Sequence, residues 1–291
     1  MRSNNPVFNR SPEFNGQTSN AYGNTTYPGN GAAYPGYGQQ GHSDPSTWGT
    51  GTPGTPTQVD RGRMTIDSVV QKTGLALGVV IVFAVATWIL SPEIDTSSTQ
   101  QDLGPLIAAM TIGSLGAFAL SMVNSFKRVI SPGLVLLFCA FEGVALGALS
   151  KFFNAFYDGN IVMSAVVGTF AAFAGTLAAY KFLDIKVTTK FRRGVMAAVF
   201  GMIGLSIMEL VLSMFGAEIG LFGVSGLGML TAVAGLVLGI FMLILDFDFV
   251  EKGIAAGLPE RDSWVAAFAM TVSLVWIYTN LLRILAFLNQ D

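Results

Sequence analysis

Four carboxyl side chains interrupt apolar stretches of this sequence, at Glu142, Glu209, Asp246 and Asp248. An ionisable side chain at the centre of a membrane span costs about 2.5–3.5 kcal/mol, so it is a functional candidate by default. A carboxyl group can exchange a proton, and its oxygens are ligands that a hard cation prefers. These acids are therefore candidates for an ion or proton pathway. For Glu142 the alternative is a neutral acid hydrogen-bonded across a helix interface.

Glu209 has polar neighbours at helical spacing. Ser206 lies three residues before it, and Asn280 and Arg283 share a face with Ser273 in the last apolar stretch. We predict that these two faces meet inside a bundle and that Glu209 pairs with Arg283. The alternative is that Arg283 extends to the outer membrane interface.

Asp246 and Asp248 are two residues apart, a rotation of about 200° on a helix, so they face different sides. Asp246 lies on the same stripe as Gly235 and Gly239, and glycines at this spacing let a neighbouring helix approach closely. We predict that Asp246 faces protein. Asp248 is expected to face the lipid headgroups, and the alternative is a solvated helix end near Lys252.

Composition explains why these acids are unusual. The chain has 52% hydrophobic and 12% charged residues, about half the charged fraction of a soluble domain. A net charge of -2 argues against a nucleic-acid partner. The lone histidine, His42, lies outside the apolar part, and Cys139 is the lone cysteine. Because a Ser/His pair and an HExxH motif are missing, we predict a protein that is not an enzyme and has no cofactor.

The chain divides into a polar tail and an apolar body. Residues 1–60 are rich in Gly, Asn, Pro and Tyr and have no apolar periodicity, which predicts a disordered tail. Residues 64–291 contain seven apolar runs of spanning length, which predict an all-α integral membrane protein with a seven-helix bundle of consecutive antiparallel neighbours. The predicted spans are 69–90, 104–126, 133–153, 161–183, 194–215, 226–247 and 263–287.

Basic residues predict the orientation. Lys and Arg concentrate before the first span and in the second, fourth and sixth connections, with Lys151 as the exception. The positive-inside rule therefore predicts a cytoplasmic N-terminus and an external C-terminus.

Four segments, in this order, resemble the Bax inhibitor-1 family (the transmembrane Bax-inhibitor-motif proteins), especially its bacterial members. They are FKR at 126–128, FEGVALGALSKFF at 141–153, FMLILDFDFVEKG at 241–253 and SLVWIYTNLLRIL at 273–285. The resemblance covers roughly residues 64–291, and the tail is similar to an actinobacterial variant. It implies a multi-pass protein of the bacterial plasma membrane.

The resemblance also implies a pH-sensitive calcium leak, latched by two aspartates of the last two helices that share a proton. Asp246 matches the first aspartate and becomes a candidate Ca²⁺ ligand. Ser273 stands where the second is expected, so the two-acid latch does not carry over whole. Either Glu142 or another acid supplies the second carboxyl group, or the gate works without a shared proton.

Two functions follow as hypotheses. The first is a leak channel or transporter for Ca²⁺ or H⁺, with Asp246, Glu142 and Glu209 along the pathway. The alternative is a non-transporting membrane stress protein or a regulator of a membrane protease, whose partners are another membrane protein and the lipid bilayer. The oligomeric state is left open by the sequence.

Overall fold

The structure, a computed structural model, describes residues 62–290 apart from residues 96, 97, 99, 128, 129, 158, 159, 218 and 224. The predicted tail over 1–60 lies outside the described residues. Within the described ranges seven helices are long and apolar enough to cross a membrane, which confirms the predicted fold class. They are α1 Ile66–Leu90, α2 Gln100–Phe126, α3 Pro132–Phe156, α4 Ile161–Phe182, α5 Thr189–Met214, α6 Gly226–Ala255 and α7 Ser263–Leu288.

Hydroxyl side chains begin several of these helices. Thr65 accepts a hydrogen bond from the backbone N–H of Ser68, and the Ser68 side chain accepts one from the backbone N–H of Thr65, which completes a capping box before α1. Thr188 and Ser225 cap α5 and α6, each accepting from a backbone N–H three residues on. Pro132 begins α3, where its missing N–H has no intrahelical role.

The last helix, α7, lies at the centre of the bundle. It packs against α1, α3, α4 and α6, whereas α2 packs mainly on α3 and α5 mainly on α6. Consecutive helices are therefore not always neighbours, contrary to the prediction, because α1 and α2 both pack against α3. The polar side chains of α7 are held among other helices, and Ser273 and Asn280 are both buried.

Glycines permit the closest helix contacts, as their spacing predicts. A Cβ atom on Gly143 would lie 2.5 Å from the carbonyl oxygen of Val80, so the backbones of α1 and α3 nearly touch. On α6 a Cβ atom on Gly239 would lie 2.6 Å from the side chain of Ile277. These glycines determine how closely α1 approaches α3 and how closely α6 approaches α7, where Asp246 and Ser273 lie.

Lys151, the exception to the charge pattern, has a structural role. Its ammonium group donates to the backbone oxygens of Trp88 and Ser91 at 3.0 and 2.8 Å and pairs with Glu93 at 3.3 Å. A cation at these carbonyls complements the dipole of α1, whose C-terminus lies there. Lys151 therefore joins α3 to the end of α1.

The residues just before α1 are attached to the connection between α6 and α7. The backbone N–H of Met64 donates to Leu258 at 2.7 Å, and that of Glu260 donates to Gly62 at 3.0 Å. Lys72 extends the contact with a 3.1 Å ion pair to Glu260. The side chain of Met64 is buried. The start of the apolar body is thus fixed to the helix pair that carries Asp246.

Candidate functional site

Asp246 lies between α6 and α7, and its carboxylate is hydrogen-bonded. The hydroxyl group of Ser273 donates to Oδ2 of Asp246 at 2.6 Å, a short bond of the length expected for a hydroxyl on a carboxylate. The two residues predicted to occupy the latch positions therefore touch each other. An acid–hydroxyl pair thus occupies the place of two acids.

Asp248 is buried among protein groups rather than facing headgroups or solvent, contrary to the prediction, although it does lie beside Lys252. It is 4% exposed, and its oxygens pair with Arg192 of α5 at 2.9 Å and with Lys252 of α6 at 2.7 Å. Two physical reasons explain the difference. Helix α6 continues to Ala255 rather than ending near residue 247, and it packs against both α5 and α7. Different faces of α6 can therefore both contact protein.

Glu209 and Arg283 do not form the predicted ion pair in the described structure. Glu209 accepts a hydrogen bond from the backbone N–H of Gly220 at 2.8 Å through Oε1. Arg283 donates to the backbone oxygens of Leu221 and Gly228 at 2.8 and 3.1 Å. The two side chains therefore bind adjacent residues of the connection between α5 and α6. The pair fails to form because these backbone groups take the place of the opposite charge.

Arg283 makes further contacts beside the α5–α6 connection, which lies on the side of the membrane that the predicted orientation makes external. Its guanidinium group lies 5.2 Å from the centre of the Phe222 ring and donates to the hydroxyl oxygen of Thr231 at 3.0 Å. Its Nε and the second carboxylate oxygen of Glu209 are buried without a hydrogen-bond partner among the described residues. Arg283 therefore holds the α5–α6 connection against the bundle.

Glu142 opens into a cavity of about 320 Å³ between α2, α3 and α7. Ser114 and Ser121 of α2 and Thr279 and Trp276 of α7 also line this cavity. Glu142 is half-buried and lies about 15 Å along α3 from Pro132, near the middle of the helix. Glu142 thus faces the contact between α2, α3 and α7, whereas the Asp246–Ser273 pair lies between α6 and α7.

Sequence reasoning missed the polar side of α2. Ser114, Ser121 and Asn124 follow each other at intervals of seven and three residues, which places them on one side of a helix. Asn124 is 5% exposed, and neither of its amide atoms has a hydrogen-bond partner among the described residues. This spacing is visible in the sequence, although uncharged polar residues in a span are a weaker signal than acids. Arg192 was also missed as a partner of Asp248.

Among the described residues, three or more His, Cys, Asp or Glu side chains do not gather in a group able to hold a metal ion. Asp246 and Ser273 together offer two side-chain positions, whereas Ca²⁺ takes about 6–8 oxygen ligands. Asp246 alone is therefore not a complete calcium cage.

The family model described as Bax inhibitor 1 like matches residues 5–290. The chain belongs to the Bax inhibitor 1 like family. The match begins within the N-terminal segment, so the likeness reaches further than the region 64–291 expected from the motifs. No curated relative matches the chain. Membership of the Bax inhibitor 1 like family and the seven apolar helices together identify a multi-pass membrane protein.

Proposed function

We propose that this protein is a pH-sensitive leak channel or transporter for a cation, Ca²⁺ or H⁺, gated through Asp246. The supporting observation is the 2.6 Å hydrogen bond between Ser273 of α7 and Asp246 of α6. This bond joins α7, the central helix, to α6, which carries the acid inside a membrane-spanning segment. An ionisable group in that place is costly, and a role in moving charge would account for it.

The gate differs from a two-acid latch in its proton chemistry. Two neighbouring carboxyl groups titrate in two steps that belong to the pair. A single acid beside a hydroxyl titrates in one step, because the serine hydroxyl only donates or accepts hydrogen bonds. Ser273 can donate to the ionised acid or accept from the protonated acid, so the bond persists while the charge changes. The charge of Asp246, rather than a broken bond, would then control the passage of cations.

The ion cluster beside the gate has a supporting role in this proposal. Asp248 is two residues from Asp246 and is neutralised by Arg192 and Lys252. Asp248 is therefore held by two basic side chains, whereas Asp246 is hydrogen-bonded to the uncharged Ser273. The proposed pathway therefore depends on Asp246 and not on its neighbour.

The test is calcium and proton flux into proteoliposomes, measured from mildly acidic to mildly alkaline pH. Asp246→Asn keeps the size of the side chain and its ability to accept from Ser273, and it should abolish the pH dependence of the flux. Asp184→Asn is the matched control, because Asp184 lies in the α4–α5 connection with 84% of its side chain exposed. Flux whose pH dependence survives Asp246→Asn would contradict gating through this residue.

The proposed orientation has a cytoplasmic N-terminus in a bacterial plasma membrane, and accessibility of tags at the two termini would test it. If the native chain moves neither ion, the alternative of a non-transporting stress protein or protease regulator gains support. Crosslinking in the native membrane would then be expected to capture another membrane protein. Deletion of residues 1–60 should weaken that capture if the tail makes the contact.

A further inference from the structure

A long groove runs along the bundle between α1 and α4. These two helices both pack against α7 but scarcely touch each other, and the space between them has a volume of about 530 Å³. Residues of α3 and α7 form its floor, so four helices shape it. Most of its lining is aliphatic or aromatic, for example Leu77, Val80 and Val85 of α1 and Val162, Val166 and Phe170 of α4.

The groove extends from the middle of the bundle to one end. Leu77 lies near the middle of α1, and Trp88 lies close to its C-terminus, about 16 Å further along the helix. On α4 the lining extends from Phe170, near the middle, to Asn160, the residue before the first turn. The hydrocarbon core of a bilayer is about 30 Å thick, so the groove is about as long as one leaflet is deep.

The hydroxyl groups along the inner part of the groove are hydrogen-bonded within the protein. Ser150 donates to the backbone oxygen of Leu146 at 2.5 Å, so Tyr278, whose hydroxyl oxygen lies 2.7 Å from that of Ser150, is the donor in their pair. Thr169 donates to the backbone oxygen of Ala165 at 2.7 Å. The donors of these three side chains need no water, and an apolar molecule can cover them without loss.

The end of the groove at the bundle surface is polar. Asn154 of α3 and Asn160 before α4 line this end with exposed side chains, and Trp88 lines it too. Amide groups bind ester and phosphate oxygens, and tryptophan is favoured at the level of lipid headgroups. Lys151 fixes this end by donating to the backbone oxygen of Trp88 at 3.0 Å. The lining thus follows the order of groups in a phospholipid, with its chain inside the bilayer and its ester groups at the surface.

We propose that the groove binds one acyl chain of a phospholipid, with the ester and headgroup oxygens beside Asn154 and Asn160. The seven spans place the bundle in lipid, and Ile81 and Met163 of the groove are exposed to it. The predicted orientation makes the donor of this chain the external leaflet. Binding requires neither Asp246 nor the passage of a cation, so it is independent of the proposed function.

The test measures phosphatidylglycerol binding to the purified full chain in detergent by native mass spectrometry. Val166 lines the groove, whereas Val167 lies outside its lining and is 60% exposed. Val166→Phe should lower the affinity at least about tenfold, because the loss of two buried methylene groups is enough for that factor. Val167→Phe adds the same atoms to the lipid-facing surface and is the matched control. Val162→Phe, one turn earlier in the groove, repeats the test if Val166→Phe yields too little folded protein.

Trp88 provides a readout within the native groove. Phosphatidylglycerol with bromine near the carboxyl end of its chains should quench a fluorescence component that is lost in Trp88→Phe and kept in Trp264→Phe. Quenching should saturate at about one lipid per protein, and bromine near the methyl end should quench less, since that end lies deeper.

Equal affinity in Val166→Phe and Val167→Phe, or quenching that never saturates, would overturn the proposal, because the lipid would then be only a general coat. Retention of a different apolar molecule in the groove would overturn the choice of occupant. Asp246→Asn should leave binding and quenching unchanged, so failure of the gate and failure of this site are distinguishable.

Discussion

Ser273 of α7 donates a 2.6 Å hydrogen bond to Asp246 of α6, across the contact between the two helices. Gly239, two turns before Asp246, permits this approach, because a side chain there would collide with Ile277. The serine is thus an interhelical hydrogen-bond partner of the acid and not merely a small core residue.

Ser273→Ala should lower the free energy of unfolding by roughly 0.6 kcal/mol and by no more than about 1.7 kcal/mol, the mean and the maximum for interhelical hydrogen bonds measured in a membrane protein. Thermal unfolding in detergent measures the effect. Ser206→Ala is the control, since Ser206 donates to the backbone oxygen of Met202 in its own helix. An unfolding midpoint equal in the two variants would show that the Ser273 bond contributes nothing measurable.

Ser273→Asp should change the shape of the flux–pH curve. The variant would have two acids where the native chain has one acid and one hydroxyl. Because ionising the second acid next to the first costs extra energy, the two protons leave in separate steps. The curve should therefore broaden relative to the native protein, as measured in proteoliposomes. A curve identical to that of the native protein would argue against a pathway through this pair.

The buried ion cluster around Asp248 makes a prediction about stability. Arg192 and Lys252 are 53% and 59% exposed at their side chains, whereas Asp248 is nearly covered. The double variant Arg192→Gln with Lys252→Gln would leave an uncompensated buried carboxylate, at a cost of about 3–5 kcal/mol. Lys186→Gln is the control, because its pair with Asp184 is exposed on both sides and should change stability by less than about 0.5 kcal/mol. Thermal unfolding of the two variants measures the difference, and equal midpoints would contradict the burial of Asp248.

Much of the fold could be predicted from the sequence because a membrane span is one continuous apolar run, which is visible without knowledge of the neighbouring helices. Apolar runs of spanning length predicted all seven helices, and the glycine stripe predicted that α6 would meet a neighbour. The C-terminal end of α6 was harder to predict. The residues from Asp248 to Ala255 continue the helix beyond the predicted span, where apolarity no longer marks its course.

The partners of the acids could not be predicted, because they depend on which helices are neighbours. Glu209 and Arg283 were both expected inside the bundle at similar depth, yet each binds the backbone of the α5–α6 connection. Asp248 is neutralised by Arg192, a residue 56 positions away that approaches only because α5 packs on α6. The spacing of residues along one helix tells which side chains share a face, but the packing of the helices decides which residues that face contacts.

Glycines in α3 and α5 should respond in opposite directions to alanine. Gly143→Ala should destabilise the protein, because its Cβ atom would lie 2.5 Å from the backbone oxygen of Val80. Gly201→Ala should be neutral or stabilising by up to about 1 kcal/mol, because its Cβ atom would meet no atom within 4 Å and alanine is the better helix former. Thermal unfolding of both variants checks this contrast, and destabilisation of equal size would contradict the close approach of α1 to α3.

Arg283 and Glu209 provide the last prediction, which distinguishes the observed contacts from a direct ion pair. Arg283→Met removes the donors to the backbone oxygens of Leu221 and Gly228, so the α5–α6 connection should open more often. Amide hydrogen exchange should rise over residues 220–222. Glu209→Gln keeps an oxygen that can accept from Gly220, so exchange there should stay near the native rate. If Glu209→Gln accelerated exchange as much as Arg283→Met does, the charge of Glu209 would be essential, and a direct pair with Arg283 would explain the result better.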